Sequence, residues 1–264
     1  MSGFHILAPT WVAGATATSN DDANVQLAAS NLTSVQYTRY WQTGSPDGIQ
    51  LTLDAGEARA WNTIVLLYNN GYDGTAFFKS NASTGTLFSG PSFNSGSQDI
   101  VLPGGAFAFQ YHHTWYAADT TQTHRYIGIE IDDTDNPEGF FSAGVVMAGV
   151  RFMPRIGADL GSRRGYDDPS VAVEMVSGET IVRPKRSKMT GNWVFPYQSE
   201  ADTMQWDYLM RTFGKKIPLV FKWEPRDNAI YQQQTLFYGF AQWGNITYVH
   251  AHGMWTVEVG MKEL

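Results

Sequence analysis

The stretch that decides the fold is Ser199–Trp223, which reads SEADTMQWDYLMRTFGKKIPLVFKW. Its first residue, a serine, is a favourable helix N-cap, and Asp202 can close a capping box while placing negative charge at the positive end of the helix dipole. Gly214 supplies a left-handed residue after the last turn, and Pro218 prevents the helix from resuming. The pattern predicts one helix over residues 200–213, followed by a strand.

Apolar side chains lie along this helix in two stripes. The wider stripe, at three- and four-residue spacing, consists of Trp206, Leu209, Met210 and Phe213. The narrower stripe consists of Ala201, Met204 and Tyr208. Because residues at these spacings share one face of a helix, the wider stripe needs a sheet to cover it. With two apolar stripes, the helix is predicted to be mostly buried.

The composition of the chain favours strands and turns. Its 264 residues include 26 glycines, 11 prolines and 14% aromatic residues, with only 16% charged residues. Glycine and proline serve tight turns, and aromatic side chains suit strands, so we expect a mainly β protein. The absence of cysteine excludes disulfides, cysteine-ligated zinc, iron–sulfur clusters and a thiol nucleophile. No stretch of the sequence has the pattern of a signal peptide or a membrane span.

Charge is distributed unevenly within the net charge of −7. Residues 1–150 hold four basic and thirteen acidic residues, whereas residues 151–264 hold fourteen basic and twelve acidic ones. An acidic, lysine-poor first half argues against nucleic-acid recognition, which needs clustered basic residues. The basic run 183–188 has no aromatic platform and is interpreted as a solvated loop or a surface facing an acidic subunit. The change in charge near the polar segment Pro154–Pro169 predicts two domains, residues 1–155 and 156–264.

Alternating apolar residues predict the strands of the first domain. Ile49, Leu51 and Leu53 alternate with polar residues before a turn predicted at residues 55–57, and Ile127, Ile129 and Ile131 alternate in the same way. The continuous apolar run within Trp61–Tyr68 is typical of a strand buried on both faces. A further strand is predicted at Val145–Phe152, and long loops are expected within residues 5–45. Together these strands predict a β-sandwich.

The order of these pieces resembles that of galactose-binding-like, or discoidin-like, jelly-roll domains. The likeness covers residues 5–155 and lies in a polar opening, a segment ending at Trp41, the strand from Ile49, the apolar strand from Trp61, a long loop region and the strand from Arg125. It implies a jelly-roll fold, and such folds commonly bind carbohydrate or act as adaptors.

Strands also dominate the second half of the chain. They are predicted as a hairpin around Ser177 and Gly178, one strand before the helix, and three after it: Trp193–Tyr197, Leu219–Trp223, Leu236–Trp243 and Trp255–Met261. In the last of these, every second residue is apolar, as expected for a strand with one buried face. The second domain is therefore predicted as a sheet with one packed helix.

This layout resembles distal tail and minor tail proteins of long-tailed bacteriophages over residues 165–264. The likeness lies in a strand ending at Phe195, the helix, the segment from Lys215 to Pro225, and two closing strands. It implies a tail-tube-like β-sandwich or barrel with one α-helix, acting as a structural virion protein. By implication the protein would form a ring with sixfold symmetry, a hexamer, that joins the tail tube to the tail-tip hub. Its partners would be the tail tube protein, the tail hub and other tail-tip proteins at the baseplate, assembled in the cytoplasm of the host bacterium.

Chemistry-bearing patterns are few. His250 and His252 share a strand face and could ligate a metal, but no carboxylate completes a set, so an exposed or interface position is favoured. The acidic loop formed by Asp132, Asp133, Asp135 and Glu138 offers oxygen ligands for calcium or is a solvated turn, and the solvated turn is favoured. The sequence has no nucleophile elbow, phosphate loop or zinc-protease motif. We therefore expect no cofactor, no metal and no enzymatic activity, although a glycosidase carboxylate pair cannot be selected or rejected from sequence.

Aromatic residues give the one candidate contact site. Strand residues such as Trp61 and Tyr68 are interpreted as core. The loop cluster is interpreted either as core or as a surface for carbohydrate or a protein partner, and it consists of Tyr72, His112, His113, Trp115 and Tyr116. Aromatic rings can stack on sugar rings. The leading hypothesis from sequence is the phage tail ring, and the alternative is a carbohydrate-binding module or a host-surface adhesin that binds a host glycan through its first domain.

Overall fold

The computed structural model describes residues 4–34, 38–100, 112–158, 162–175, 180–183, 185, 187–223, 235–249 and 254–264. The chain divides into two compact units. The first unit contains His5–Phe152 and the segment Lys222–Leu236; the second contains Met153–Phe221 and Phe237–Leu264, together with Phe4. Antiparallel sheets dominate both units, so the predicted mainly β class is confirmed.

Ten strands make up the sheets of the first unit: β1 His5–Leu7, β2 Thr16–Ser19, β3 Trp41–Gln42, β4 Ile49–Asn69, β5 Thr75–Asn81, β6 Phe93–Asp99, β7 His112–Asp132, β8 Ser142–Ala143, β9 Val145–Gly149 and β10 Arg151–Phe152. The main sheet has the order β2–β4–β7–β5–β6, and β9 also pairs with β4. Two smaller pairs are β3 with β8 and β1 with β10. Two short 3₁₀ helices, Val25–Leu27 and Ala29–Thr33, lie where long loops were expected.

The turn predicted at residues 55–57 is wrong, because β4 continues through it. The pairing of β4 with β7 shifts register between Asp54 and Arg59, which is a bulge within one long strand. Gly56 adopts a positive φ of 78° there, and its N–H donates to the Asp54 carboxylate at 2.7 Å. A glycine followed by an acidic residue thus gives a bend in the strand, not its end.

One hydrophobic core fills the first unit. It includes Ile49 and Leu51 from the first half of β4 and Ile64 and Leu66 from the second half. Both halves of a single strand therefore cover the same core, which requires the bend at the bulge. Fully buried tryptophans add the largest side chains to this core: Trp11, Trp41 and Trp61.

Among the described residues, the second half of the chain has seven strands and one α-helix: β11 Arg163–Asp167, β12 Val171–Glu174, β13 Thr180–Arg183, β14 Lys188–Gln198, α1 Glu200–Thr212, β15 Leu219–Lys222, β16 Leu236–Val249 and β17 Met254–Glu263. The sheet of the second unit runs β15–β16–β17–β14–β11, and β12 and β13 form a separate two-stranded hairpin. The predicted hairpin turn at Ser177 and Gly178 lies outside the described residues, as do His250 and His252.

The predicted helix and its ends are confirmed. The Ser199 hydroxyl accepts a hydrogen bond from the N–H of Asp202 at 3.1 Å and donates one to its carboxylate at 2.8 Å. Gly214 has the expected positive φ, 48°. Trp206 is fully buried and its ring lies 4.8 Å from that of Phe195 on β14. The wider apolar stripe therefore packs on the sheet.

The expectation of a mostly buried helix is wrong for the narrower stripe. Ala201 is exposed, and Met204 and Tyr208 are 68% and 50% exposed. A helix lying on one sheet buries only the face turned toward that sheet, and no other described element covers the second stripe. This stripe leaves apolar side chains on the surface of the second unit.

Candidate functional site

Three of the five predicted contact residues are held by packing inside the first unit. His113 is buried and its Nδ1 accepts a hydrogen bond from the N–H of Tyr68 at 3.1 Å. The Tyr116 ring stacks on Phe78 at 4.9 Å between ring centres. Because alternate residues of a strand face opposite ways, His113 and Tyr116 point to opposite faces of β7. The structure does not bring these two side chains together.

Trp115 is half-buried and has its own neighbours. The His5 ring lies 5.9 Å from the Trp115 ring, and the Lys222 ammonium lies 5.4 Å from the ring centre, within reach of a cation–π interaction. His5 and Lys222 both belong to the first unit. Trp115 therefore packs against an imidazole ring and an ammonium group and is not part of an open platform.

The remaining two residues, Tyr72 and His112, lie at one end of the sandwich. We call this region the loop end: it consists of residues 43–46, 70–74 and 132–142 with His112, where β4 and β7 finish and β5 begins. Tyr72 follows β4 and is 58% exposed. His112 opens β7 opposite Asn69, the last residue of β4.

A buried carboxylate fixes the loop end. Asp133 is 1% exposed and accepts hydrogen bonds from the N–H of Tyr72 at 3.1 Å, the N–H of Asp73 at 3.2 Å and the side chain of Asn136 at 2.8 Å. Burial raises the pKa of Asp133, against the opposing effect of these hydrogen bonds. Gly74 lies so close that a Cβ would meet the Asp132 carbonyl at 2.5 Å. The loop that carries Tyr72 is therefore held by several hydrogen bonds and by close packing.

Asparagines extend this network. The Asn70 side chain donates to Glu138 at 2.7 Å and to the Phe140 carbonyl at 3.1 Å, and it accepts from the N–H of Ser142 at 2.7 Å. The Asn136 side chain donates to the Asn70 carbonyl at 3.0 Å. These bonds join the loop after β4 to the loop after β7. The double asparagine before Gly71 does predict the turn that ends β4, but nothing in the sequence predicts that Asn70 and Asn136 join one network.

His112 lies close enough to Asp133 for their charges to interact. Burial lowers the pKa of His112, and the nearby carboxylate partly opposes this shift. Its Nδ1 is buried and has no hydrogen-bond partner within the part of the chain that the structure describes. His112 is therefore held in its neutral form more strongly than a solvated histidine.

The acidic loop does not converge on an ion. Asp133 points inward to backbone amides, whereas Asp132, Asp135 and Glu138 are exposed. Among the described residues, no three histidine or acidic side chains gather in an arrangement that could hold a metal. The loop end instead presents one exposed tyrosine among carboxylates, groups that can accept hydrogen bonds from hydroxyls, amides or amines.

Surface features of the second unit form a different kind of candidate site. Its hairpin exposes Val171, Val173 and Val182, which are 45 to 56% exposed, and its helix exposes Met204 and Tyr208. The described residues contain no helix that is long and apolar enough to cross a membrane. These exposed apolar side chains are the feature on which a protein-contact role for the second unit would depend.

Comparison with known proteins gives structural neighbours only. The sequence matches no protein-family model, and it matches no curated protein. Similar solved structures include carbohydrate-binding modules and a lectin domain. The family 32 carbohydrate-binding module of C. perfringens NanJ, in complex with galactose, is 15% identical, covers 56% of this chain and 99% of its own, and has a TM-score of 0.38.

Two further structures belong to the same class. A chitosan-binding module from a chitosanase/glucanase of Paenibacillus sp. IK-5 is 14% identical, with 50% of this chain and 92% of its own covered and a TM-score of 0.37. The lectin domain of lectinolysin complexed with Lewis B antigen is 14% identical, with coverages of 52% and 94% and a TM-score of 0.37. At these scores the likeness carries no argument about what this chain binds.

Proposed function

We propose that this protein is a structural subunit that assembles with copies of itself through its second unit and has no catalytic activity. One observation carries the proposal. Of the 16 large apolar side chains exposed among the described residues, 12 lie in the second unit and only four in the larger first unit. Burial of apolar surface is the main favourable term in protein association. The second unit is therefore the surface that gains most from a partner.

The hairpin of β12 and β13 gives this surface its geometry. In their register, Val171 and Val173 lie on one face of the hairpin and Val182 lies on the other. An isolated two-stranded hairpin is marginally stable, and its outer edges offer unpaired N–H and C=O groups. Within the described residues, neither strand pairs with a third one. A neighbouring copy would cover these apolar faces and pair with an open edge.

A closed ring is the assembly that such a contact supports. When one surface of a subunit binds a different surface of the next, the contact produces a ring if its rotation closes. The sequence resemblance to distal tail proteins implies sixfold symmetry and a place between tail tube and hub at the tip of a phage tail. We extend the proposal to that place, with the tail tube protein, hub and other tail-tip proteins as further partners.

The test of self-assembly removes the apolar surface of the hairpin. Replacing Val171, Val173 and Val182 together with serine is expected to weaken self-association by at least about tenfold, measured by sedimentation velocity over a concentration series. The matched control is Val25→Ser in the first unit, where Val25 is 93% exposed and the change should leave association unaltered. Micrographs of the unmodified protein should show rings. A wild-type protein that stays monomeric at high concentration, with no rings in micrographs, contradicts the proposal.

A second candidate function is glycan binding at the loop end. It is favoured by Tyr72, an exposed ring fixed beside carboxylates by the hydrogen bonds to Asp133. Such a ring can stack on a sugar while neighbouring carboxylates accept hydrogen bonds from its hydroxyls. A host-surface glycan would be the corresponding ligand for a tail protein.

A glycan array tests this second candidate. Wild-type protein is expected to bind at least one glycan, and Tyr72→Ala is expected to abolish that binding without changing the far-ultraviolet circular dichroism spectrum. Tyr166→Ala serves as the control, because Tyr166 is also exposed and lies in the second unit. Binding that survives Tyr72→Ala, or an array without any bound glycan, argues against the loop end as a sugar site. Variants of Trp115 and Tyr116 would test packing and not binding.

A further inference from the structure

A groove of about 480 Å³ crosses the surface of the second unit's sheet. Arg163 of β11 lies opposite Asn192 of β14, which lies opposite Gly260 of β17, which in turn lies opposite Gln242 of β16. Residues directly opposite each other in a sheet point to the same face. Gly260 has no side chain, and a Cβ there would lie 2.8 Å from the Gln242 carbonyl, so the strands approach closely at this point. The amides of Asn192 and Gln242 flank Gly260 in the row, and Arg163 lies beyond Asn192.

The groove is lined by cations and not by carboxylates. Its charged lining residues are Arg163, Arg164 and Lys262. The Lys262 ammonium donates to Asp167 at 2.7 Å, so its charge is partly compensated. Arg163 is exposed and forms no ion pair within the described part of the chain. An arginine presents a fork of N–H donors that matches a carboxylate in two parallel hydrogen bonds.

The complementary surface lies on the first unit. At the loop end, Asp73, Asp132, Asp135 and Glu138 are all exposed, and neither residues 70–74 nor residues 132–139 include a lysine or arginine. The network around Asp133 ties together the loops that carry these carboxylates, so little loop entropy is lost when a partner binds. It is a preformed anionic surface.

We propose that the groove of one copy binds the acidic loop end of a second copy, an inference that rests on the proposed self-assembly. Arg163 pairs with a loop-end carboxylate, while Asn192 and Gln242 donate hydrogen bonds from their amides to carboxylate or carbonyl oxygens. The two surfaces differ, so the contact is head-to-tail and repeats from one subunit to the next. Charge complementarity fixes the register of that repeat and speeds encounter.

The experiment exchanges charge across the proposed contact in the full-length protein. One variant is Arg163→Glu, and the other combines Asp73→Lys with Asp135→Lys. Asp135 lies outside the hydrogen bonds of the loop network, and Asp73 contributes only its N–H, so both variants should retain the fold. Each variant alone is expected to lose about tenfold or more in association constant at low salt, measured by sedimentation velocity. An equimolar mixture should recover association, because a glutamate groove then meets a lysine loop.

The outcomes separate this inference from the proposal on which it rests. Recovery in the mixture, and a loss of the effect at high salt, support the contact. Wild-type association in each single variant, or a weakening that the mixture does not relieve, overturns the groove as the site. If one of these two contrary results is found and the triple valine-to-serine variant of the hairpin still dissociates, self-assembly through the hairpin is supported and the groove is not part of it. A monomeric wild type overturns both.

Discussion

The two units of this protein bury their apolar residues to different extents. The first unit encloses a continuous core with three fully buried tryptophans and exposes few large apolar side chains. The second unit is smaller, and it exposes a hairpin with valines on both faces and one stripe of its helix. A smaller unit has less interior in which to bury apolar side chains. The difference supports the proposal that a partner covers the second unit.

Polar groups show the same contrast. In the first unit, the loop end uses a buried aspartate and two asparagines to tie its loops together. In the second unit, an arginine without an ion-pair partner among the described residues faces an open groove. Satisfied polar networks stabilise a surface, whereas exposed charges favour the approach of a partner of opposite charge.

The largest expected effect is on the core of the first unit. Trp61→Ala should lower its free energy of unfolding by about 3–5 kcal/mol, because a fully buried tryptophan leaves a cavity. Urea unfolding followed by circular dichroism measures this change. The control, Val25→Ala, should alter stability by less than about 0.5 kcal/mol. Equal losses of stability in the two variants would contradict the placement of Trp61 in a closed core.

A smaller loss is expected when the loop end is crowded. Gly74→Ala places a methyl group against the Asp132 carbonyl and the Asp133 carboxylate and should cost about 1–3 kcal/mol. Hydrogen exchange of the Tyr72 and Asp73 amides should report faster local opening. Gly90→Ala is the matched control, since a Cβ there would meet nothing within 4 Å. Unchanged exchange in Gly74→Ala would mean that the loop end is not rigid.

Exposed apolar residues of the helix should affect association and not stability. Replacing Met204 and Tyr208 with serine should change the free energy of unfolding by less than about 0.5 kcal/mol per site, because both side chains are at least half exposed. If the stripe contacts a partner, sedimentation velocity should show weaker self-association. By contrast, Trp206→Ala on the buried face should destabilise the second unit. If the double substitution leaves self-association unchanged, the helix stripe is not part of the interface, and only the hairpin and the groove remain as contact surfaces.

The smallest expected effect is a dependence on pH in the first unit. Burial lowers the pKa of His112 and of His124 below their usual 6.5, so the folded state favours the neutral rings. This contribution to stability is fully present above pH 6.5 and is lost as the pH falls through the folded pKa values. Thermal unfolding of the full-length protein between pH 5 and 8 should show that its stability declines as the pH falls. Replacing both histidines with glutamine should flatten it; an unchanged slope would assign the dependence to other groups.

Local sequence was sufficient for the elements with strong local signals. The helix at Glu200–Thr212 follows from its serine cap and its terminal glycine, and the alternation in Ile127, Ile129 and Ile131 places one face of β7 in the core. Local sequence was insufficient to predict the conformation of residues 55–57. The same residue types, a glycine beside an acidic residue, occur both in a bulge within a strand and in a turn that reverses the chain. Only the pairing of Arg59 with His124 on the far side of the bulge keeps the strand continuous.

The candidate site was less predictable than the fold. Tyr72 and His112 do lie at one end of the sandwich, but strand alternation and packing carry His113, Trp115 and Tyr116 elsewhere. The contact role proposed for the five residues stays a prediction. Asn70, Asp133 and Asn136 belong to one network, although Asn70 lies more than 60 residues before the other two. Nothing in the local sequence around these residues indicates that they are close in the fold.

By itself, the sequence determined the mainly β class, the position and caps of the one helix, and the charge contrast between the halves. These properties depend on neighbouring residues or on counts, and they need no long-range contact. Only the tertiary structure decided that the second stripe of the helix is exposed, that the hairpin stands apart from the sheet, and that Arg163 faces a groove. Those outcomes depend on which surfaces distant segments cover, because burial is a property of the packed chain and not of any local pattern.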